Sequence, residues 1–330
     1  MAVIVGCSTA GHIVDANAVD SDFVATIIGL QTSDAQATSI QIRGPEHSRQ
    51  AGQELAAELL AMTEQPPKAV LVVSDGLIVN GSELVDGLVS GLPDGLPISG
   101  GLAGDGAQFS RTSVSLGTEV TTGRVVAVGL WGEDLTVAHG SAGGWEPFGP
   151  IRTITRSKGS TVYELDGQPT LELYRNYLGE KASELPAAAL LFPLRIRDPD
   201  GPSELARTIL AMDDAELSMR FAGDMPEGWS AQMMRTTIDR LVDGASDAAE
   251  QAHQPSAEVG DSLALAVSCV GRRLVLGDRA EEELEACLDA LGSRTALRGF
   301  YSYGEISPAD GYVGLHNQTM TLTTISEALP

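Results

Sequence analysis

Apolar positions along this chain alternate between two spacings, and the alternation recurs in the same order. "AVLVVSDG" (69–76) is a β-branched run of the kind that forms a buried strand. "SELVDGLVSGLP" (82–93) then puts Leu84, Val85, Leu88 and Val89 on one side of a helix that Ser82 can cap, and "GRVVAVGLWG" (123–132) is the next strand. Near the C-terminus, "SLALAVSCVGRR" (262–273) reads as a buried strand ending at Ser268-Cys269. "DRAEEELEACLDALG" (278–292) follows with Leu284, Cys287, Leu288 and Leu291 on one helical face, Asp278 as cap and Gly292 as stop. "TMTLTTI" (319–325) closes the copy as a strand by its β-branched alternation.

Between helix and last strand each copy carries a glycine-hinged loop with an acid. In "LPISGGLAGDG" (96–106) and "GFYSYGEI" (299–306), Asp105 and Glu305 each follow a glycine, Gly104 and Gly304. "VIVGCSTAGHI", followed by "DFVATIIGL" (22–30) as a strand, reads as the second half of a third copy. Gly6 and Gly11 keep the spacing of Gly299 and Gly304, and His12 stands where the acid stood. Small residues at these hinges allow positive φ and close backbone approach. The pattern predicts an α/β protein with mixed β-sheets flanked by helices, built from repeated strand–helix–strand units in two similar-sized halves. Between the copies, "GGWEPFG" (143–149) reads as a packed corner. A strand then runs through Asp166-Gly167 into a helix with Pro169 in its first turn and Leu171, Tyr174 and Leu178 inward, expected as the hinge between halves. "AGDMPEGWS" (222–230) is a turn-rich approach to a helix over 232–252, with Asp224 and Trp229 structural.

Charge removes several function classes. A net charge of −24, with Lys68, Lys158 and Lys181 the only lysines, repels phosphate backbones and anionic lipid, so neither nucleic acid nor membrane is an expected partner. Cys7, Cys269 and Cys287 are an odd number without CxxC spacing, which argues for a reducing, cytoplasmic compartment. No apolar run reaches the roughly 18 residues of a membrane span. The N-terminus lacks the basic region of a signal peptide and enters a strand at residue 2.

"GCSTAG", "GGLAGDG", "GGWEPFG", "YELDGQPTLELYRNYLG", "FPLRIRD", "RFAGDMPEGW", "SCVGRR", "GFYSYGEI" and "LHNQTM" occur in the order found in FIST-domain proteins. The chain resembles that family from residue 3 to about residue 327, with a FIST N-like half at 1–160 and a FIST C-like half at 161–330. The resemblance implies a non-catalytic sensory module of signal transduction that binds a small, amino-acid-like ligand. Such modules occur in bacteria beside kinase or cyclase output domains and in eukaryotes with F-box segments. It also implies a strand and helix before "GCSTAG". This chain begins inside that repeat, which leaves a strand edge through which a homo-oligomer could form. The family's usual glutamate after "GCSTAG" is His12 here, and with no output domain after residue 330 the signal is expected to pass to a separately encoded partner.

If the three loops converge, they bring together His12, Asp105 and Glu305, with Arg272 and Arg273 after the "SC" strand and Tyr301, Tyr303, His316 and Asn317 near Glu305. Acids for an ammonium, Arg272 as a fork for a carboxylate, an amide and phenols suit a zwitterion. The alternative for these groups is a set of ion pairs from Arg272, Arg273 and Glu305 that tie the halves together. Two further readings compete with the amino-acid sensor. One is an enzyme using Cys7 with His12 or His316, although "GCSTAG" lacks G-x-S-x-G spacing. The other, taken from the resemblance, is a haem-containing nitric-oxide sensor ligated by His12 or His316. The five histidines show no HxxxH or HExxH spacing, and no resident cofactor is expected. Cys269 beside Arg272 and Arg273 is expected to have a lowered pKa.

Overall fold

The computed structural model describes residues 2–20, 23–185, 187–201, 204–253, 261–309 and 311–328. Its two α/β halves follow from the repeat. In the first, helix α1 (Ser48–Met62) and helix α2 (Gly81–Gly91) flank a six-stranded sheet. Ala69–Ser74 lies parallel to Ile98–Leu102 and antiparallel to Arg124–Trp131, which pairs with Asp34–Gln41 at the edge. In the second half, Ser262–Cys269 lies parallel to Thr295–Ser302 and antiparallel to Met320–Glu327, which pairs with Leu135–Ala142. The strand order and directions are the same.

Each sheet is completed by a hairpin from the far end of the chain. His12–Val14 and Asn17–Val19 add to Thr295–Ser302 in the C-terminal sheet. Glu305–Ala309 and Tyr312–His316 add to Ile98–Leu102 in the N-terminal one. The exchange buries Ala10, Ile13, Tyr301, Tyr303 and Leu315 in one shared core with Leu84 and Leu322.

Glycines set the register of both copies. Gly100, at φ +139°, pairs with Val72, and a Cβ there would stand 1.9 Å from the Val72 carbonyl oxygen. Gly299 pairs with Ala266, and its Cβ would stand 1.7 Å from the Ala266 oxygen. Only glycine lets the parallel strands come this close. This register makes Gly100 the counterpart of Gly299, and therefore Asp105 the counterpart of Gly304. The glycine–acid match between Asp105 and Glu305 is thus one residue out. The true counterpart of Glu305, which opens its hairpin opposite Gly101, is His12, which opens its own opposite Phe300.

Residues 146–235 form a third layer, an eight-stranded antiparallel sheet closed over helix α3 (Thr170–Leu178). Its separate core includes Ile154, Val162, Leu171, Tyr174, Met219 and Phe221. The segment expected as a hinge is therefore part of a packed layer. The helix expected over 232–252 is a strand to Arg235 and then α4 (Ile238–Ala252), capped by Thr237. "VGRR" leaves its strand as helix α5 (Val270–Leu276), and α6 (Ala280–Leu291) starts without a side-chain cap from Asp278. Asn80, not Ser82, caps α2 by accepting from the Ser82 and Glu83 N–H groups at 3.0 and 3.2 Å. Residues 23–30 have the apolar pattern of a strand but no ladder partner among the described residues, and Ile27 is 95% exposed.

Candidate functional site

The three glycine loops do meet. Gly104 N–H donates to the Ser8 carbonyl at 3.0 Å, and Ala10 and Tyr301 exchange main-chain bonds across the 10–11 turn (Ala10 N to Tyr301 O, 2.8 Å; Tyr301 N to Gly11 O, 2.9 Å). Leu102 N donates to Gly304 O at 2.9 Å, and Tyr303 N to Leu102 O at 3.1 Å. Sequence separation of nearly three hundred residues is bridged by backbone alone.

The side chains at this crossing mostly serve the loops themselves. The Asp105 carboxylate accepts from the N–H groups of Phe109, Ser110 and Arg111 at 2.8–2.9 Å, from Ser110 Oγ, and from the Tyr303 hydroxyl. Burial opposes ionisation of Asp105, but these donors outweigh it and hold the carboxyl well below the usual range. The Tyr303 ring stacks on Phe109 with centroids 4.4 Å apart, and burial with the Asp105 charge pushes its hydroxyl up to about 12. Tyr301 is fully buried, its hydroxyl without a hydrogen-bond partner, its ring 5.0 Å beneath the Arg273 guanidinium. His12 is half-buried with Nδ1 3.4 Å from Thr9 Oγ1.

The carboxylate fork expected of Arg272 is already filled. Arg272 and Glu283 are both fully buried: Nε and Nη2 donate to Glu283 Oε2 at 3.1 and 2.9 Å, while Nη1 and Nη2 reach the Gly143 and Leu241 carbonyls at 2.7 Å. Ser268 Oγ donates to the other Glu283 oxygen at 3.1 Å. Arg273 grips Asp20 with both terminal nitrogens and the Ala10 carbonyl at 2.7 Å, which ties α5 to the N-terminal hairpin. Ion pairs thus account for both arginines, but only that of Arg273 joins the N-terminal hairpin to the C-terminal half; Arg272–Glu283 lies within the C-terminal half, and Glu305 enters no ion pair among the described residues. Sequence reasoning missed Glu283, although a signal existed: it lies one turn before Cys287, on the apolar face of α6, where a charge needs a buried partner.

What remains is a polar seam formed by Glu305, Ser307 and the stretch 316–319. Glu305 is fully buried and accepts from Ser302 Oγ at 2.6 Å and Thr319 Oγ1 at 3.0 Å. Burial, against those hydrogen bonds, pushes its carboxyl up to about 8. His316 faces Glu305 across the hairpin, and its Nε2 lies 3.1 Å from the Ser307 carbonyl. Burial pulls His316 down to about 4, so the ring is neutral and Nε2 is the nitrogen that donates. Asn317 is fully buried, and neither its Oδ1 nor its Nδ2 has a hydrogen-bond partner. Gln318, at φ +61°, leaves Oε1 unpaired while its carbonyl accepts from Trp145 Nε1 at 2.9 Å. From the third layer, Arg207 reaches the same stretch: it is 2% exposed and donates to the carbonyls of Leu315 (2.9 Å), Ala206 and Asp224. Its charge meets no carboxylate oxygen within a salt bridge among the described residues, and burial lowers its pKa to about 10. Arg207 and Gln318 were not among the expected site residues; Arg207 sits two positions after Leu205 in a strand, the inward phase of that strand.

The thiols do not look like nucleophiles. Burial pushes Cys7 up to about 12. Cys269 was expected to be acidic, but burial and the Glu305 charge raise it despite nearby N–H donors, so proximity to arginines in sequence misled. Cys287 is core, its Sγ 3.4 Å from the Ala245 carbonyl. His316 is a poor fit for a haem iron, because Nε2 donates to Ser307 and the ring is enclosed by packed protein. Among the described residues no group of three or more His, Cys, Asp or Glu is placed to hold a metal ion.

Comparison with protein families finds the FIST N domain over residues 1–168 and the FIST C domain over 170–308. No curated protein matches the chain. No described helix is long and apolar enough to cross a membrane. With loops, sheets and motifs in this order, the chain belongs to the FIST family, whose domains are small-ligand sensory modules of signal transduction.

Proposed function

We propose that this chain is a non-catalytic sensor whose ligand, a free amino acid, binds in the seam between the two halves and the third layer. The observation that carries this reading is the Asn317 carboxamide, fully buried with both polar atoms unpaired. Leaving such a group unsatisfied costs about 1–3 kcal/mol, and a ligand bearing both a donor and an acceptor recovers it. Arg207 then takes the carboxylate role first assigned to Arg272, and Glu305, once ionised by an approaching ammonium, takes the cation. His316 and Gln318 complete the polar lining, and His12, Asp105 and Tyr303 hold the loops around it. Because Asn317 is closed off from water, binding requires the seam to part, and the ligand thereby biases an open–closed equilibrium that a separate partner protein reads. The free thiols Cys7, Cys269 and Cys287 suit work in the cytoplasm.

Thermal unfolding against a panel of amino acids tests this. A binder at 100 times its Kd should stabilise by about 2.7 kcal/mol. Asn317→Leu should raise the melting temperature of the free protein, since it removes two unpaired polar atoms, and should abolish the ligand response. If no amino acid stabilises the protein, or if Asn317→Leu retains the full shift, the seam is not the binding site.

A further inference from the structure

The exchange of hairpins has a third instance. At the loop crossing, Leu102 donates to the Gly304 carbonyl and accepts from Tyr303 N–H, and Tyr301 stands in the same relation to Gly11 and Ala10. Ser8 repeats it: its N–H donates to the Ser113 carbonyl at 2.9 Å, and its own carbonyl accepts from Gly104 N–H at 3.0 Å. The strand Val5–Cys7 is therefore the counterpart of Ile98–Leu102 and Thr295–Ser302. The hairpin of Val114–Leu116 and Glu119–Thr121, which adds to it, is the counterpart of the two exchanged hairpins. Residues 23–30 likewise lead into Asp34–Gln41 of the next sheet, as Arg124–Trp131 leads into Leu135–Ala142.

In both six-stranded sheets a central strand separates these two counterparts: Ala69–Ser74 in one, Ser262–Cys269 in the other. The three-stranded sheet stops at Val5–Cys7, and no described segment takes the central place. Both borders offer what a strand needs. Ile4 accepts from Gly117 N–H at 2.8 Å and Ser8 donates to Ser113, both toward the hairpin. By the two-residue period, Val5 and Cys7 turn their N–H and C=O groups to the opposite side. On the far border, residues 23–30 carry no charge, and Phe23 and Ile27 are 81% and 95% exposed. Glu327 holds the end of this segment by accepting from the N–H groups of Gln31, Thr32 and Ser33 at 2.7–3.1 Å. The complete sheets define the occupant. Their central strands are apolar, parallel to one neighbour, antiparallel to the other and followed by helices, α2 in one half and α5 with α6 in the other.

We propose that this sheet is completed in trans. A partner polypeptide inserts an uncharged, β-branched strand parallel to Val5–Cys7 and antiparallel to residues 23–30, and lays the helix that follows it over the sheet. A net charge of −24 favours a partner whose strand is flanked by lysine or arginine, as Lys68 flanks Ala69–Ser74. The docking uses none of the seam residues.

Fluorescence anisotropy of a labelled synthetic peptide of residues 66–93, the chain's own central strand with α2, provides the test against the full chain. It should bind saturably, and the same peptide carrying Val70→Pro and Val72→Pro should not, because proline cannot donate to a ladder. Ile27→Asp in the protein should leave the urea midpoint unchanged, since this side chain meets solvent, but should weaken the peptide about tenfold or more by burying a charge. Hydrogen exchange should slow at residues 5–7 and 23–30 when the peptide is added and stay constant at 69–74. Absence of saturable binding, equal binding of the proline peptide, undiminished binding by Ile27→Asp, or new protection at 69–74 alone would each overturn the proposal. So would a protein already dimeric with residues 23–30 protected before any peptide is added, which would assign this edge to a second copy of the chain.

Discussion

Water does not reach Arg272 or Glu283, so each is the other's buried ionic partner. Removing one partner of such a pair strands the second, at a cost of about 3–5 kcal/mol, whereas replacing both by apolar residues is often neutral. Glu283→Ala should therefore lower the urea midpoint sharply, and Arg272→Met with Glu283→Leu should recover most of the loss. Glu305 and His316 make stability depend on pH with opposite signs. Glu305 loses its proton near 4.5 when unfolded and near 8 when folded, so its contribution is full at low pH and is lost as pH rises from 4.5 to 8. His316 changes from 6.5 to about 4 on folding, so its contribution is present above 6.5 and lost as pH falls toward 4. The two slopes oppose between pH 4.5 and 6.5, where stability should crest. From 6.5 to 8 Glu305 acts alone at roughly 1.4 kcal/mol per pH unit, and denaturation midpoints of Glu305→Gln should flatten over that interval.

At the scale of elements, the parallel pairs in each half rest on a glycine that lets two strands approach. Gly299→Ala would set a methyl 1.7 Å from the Ala266 oxygen, and the strands must separate to admit it. Overpacking of this kind costs about 1–3 kcal/mol or more. Gly277, at φ +57°, ends α5, and a methyl added there would meet nothing within 4 Å. Gly277→Ala should therefore cost about 1–3 kcal/mol, for its backbone conformation alone. Comparing the urea midpoints of the two variants separates close approach from conformational freedom. Residues 23–30 carry a largely apolar run like that of Arg124–Trp131, yet among the described residues only the latter has strand neighbours, on both sides, so pattern sufficed for one strand and failed for the other.

Across the whole molecule, the exchanged hairpins make the halves mutually dependent. The N-terminal sheet needs 305–316 and the C-terminal sheet needs 12–19, and both bury residues of the shared core. Fragments 1–142 and 143–330 should each be poorly folded alone and should regain native circular dichroism when mixed. Independent, stable folding of both fragments would show that the exchange contributes little. Closing contacts between the two ends of the chain delays folding until late, because loop-closure entropy must be overcome first.

The repeated order of elements, the apolar faces of α2 and α6 and the convergence of three glycine loops were legible in the sequence, because periodicity and small residues act locally and recur. The roles of the charged side chains were not. Arg272 and Arg273 are adjacent, yet one turns inward to Glu283 of α6 and the other outward to Asp20 at the end of the N-terminal hairpin, a choice set by which distant segment packs on each side of α5. Likewise Asp105 and Glu305 share a preceding glycine but differ in fate, since one staples its own loop while the other enters a strand buried between halves. Local pattern determined which segments are strands and helices; only the packing of distant segments decided which polar groups found partners and which, like those of Asn317 and Thr170, were left without one.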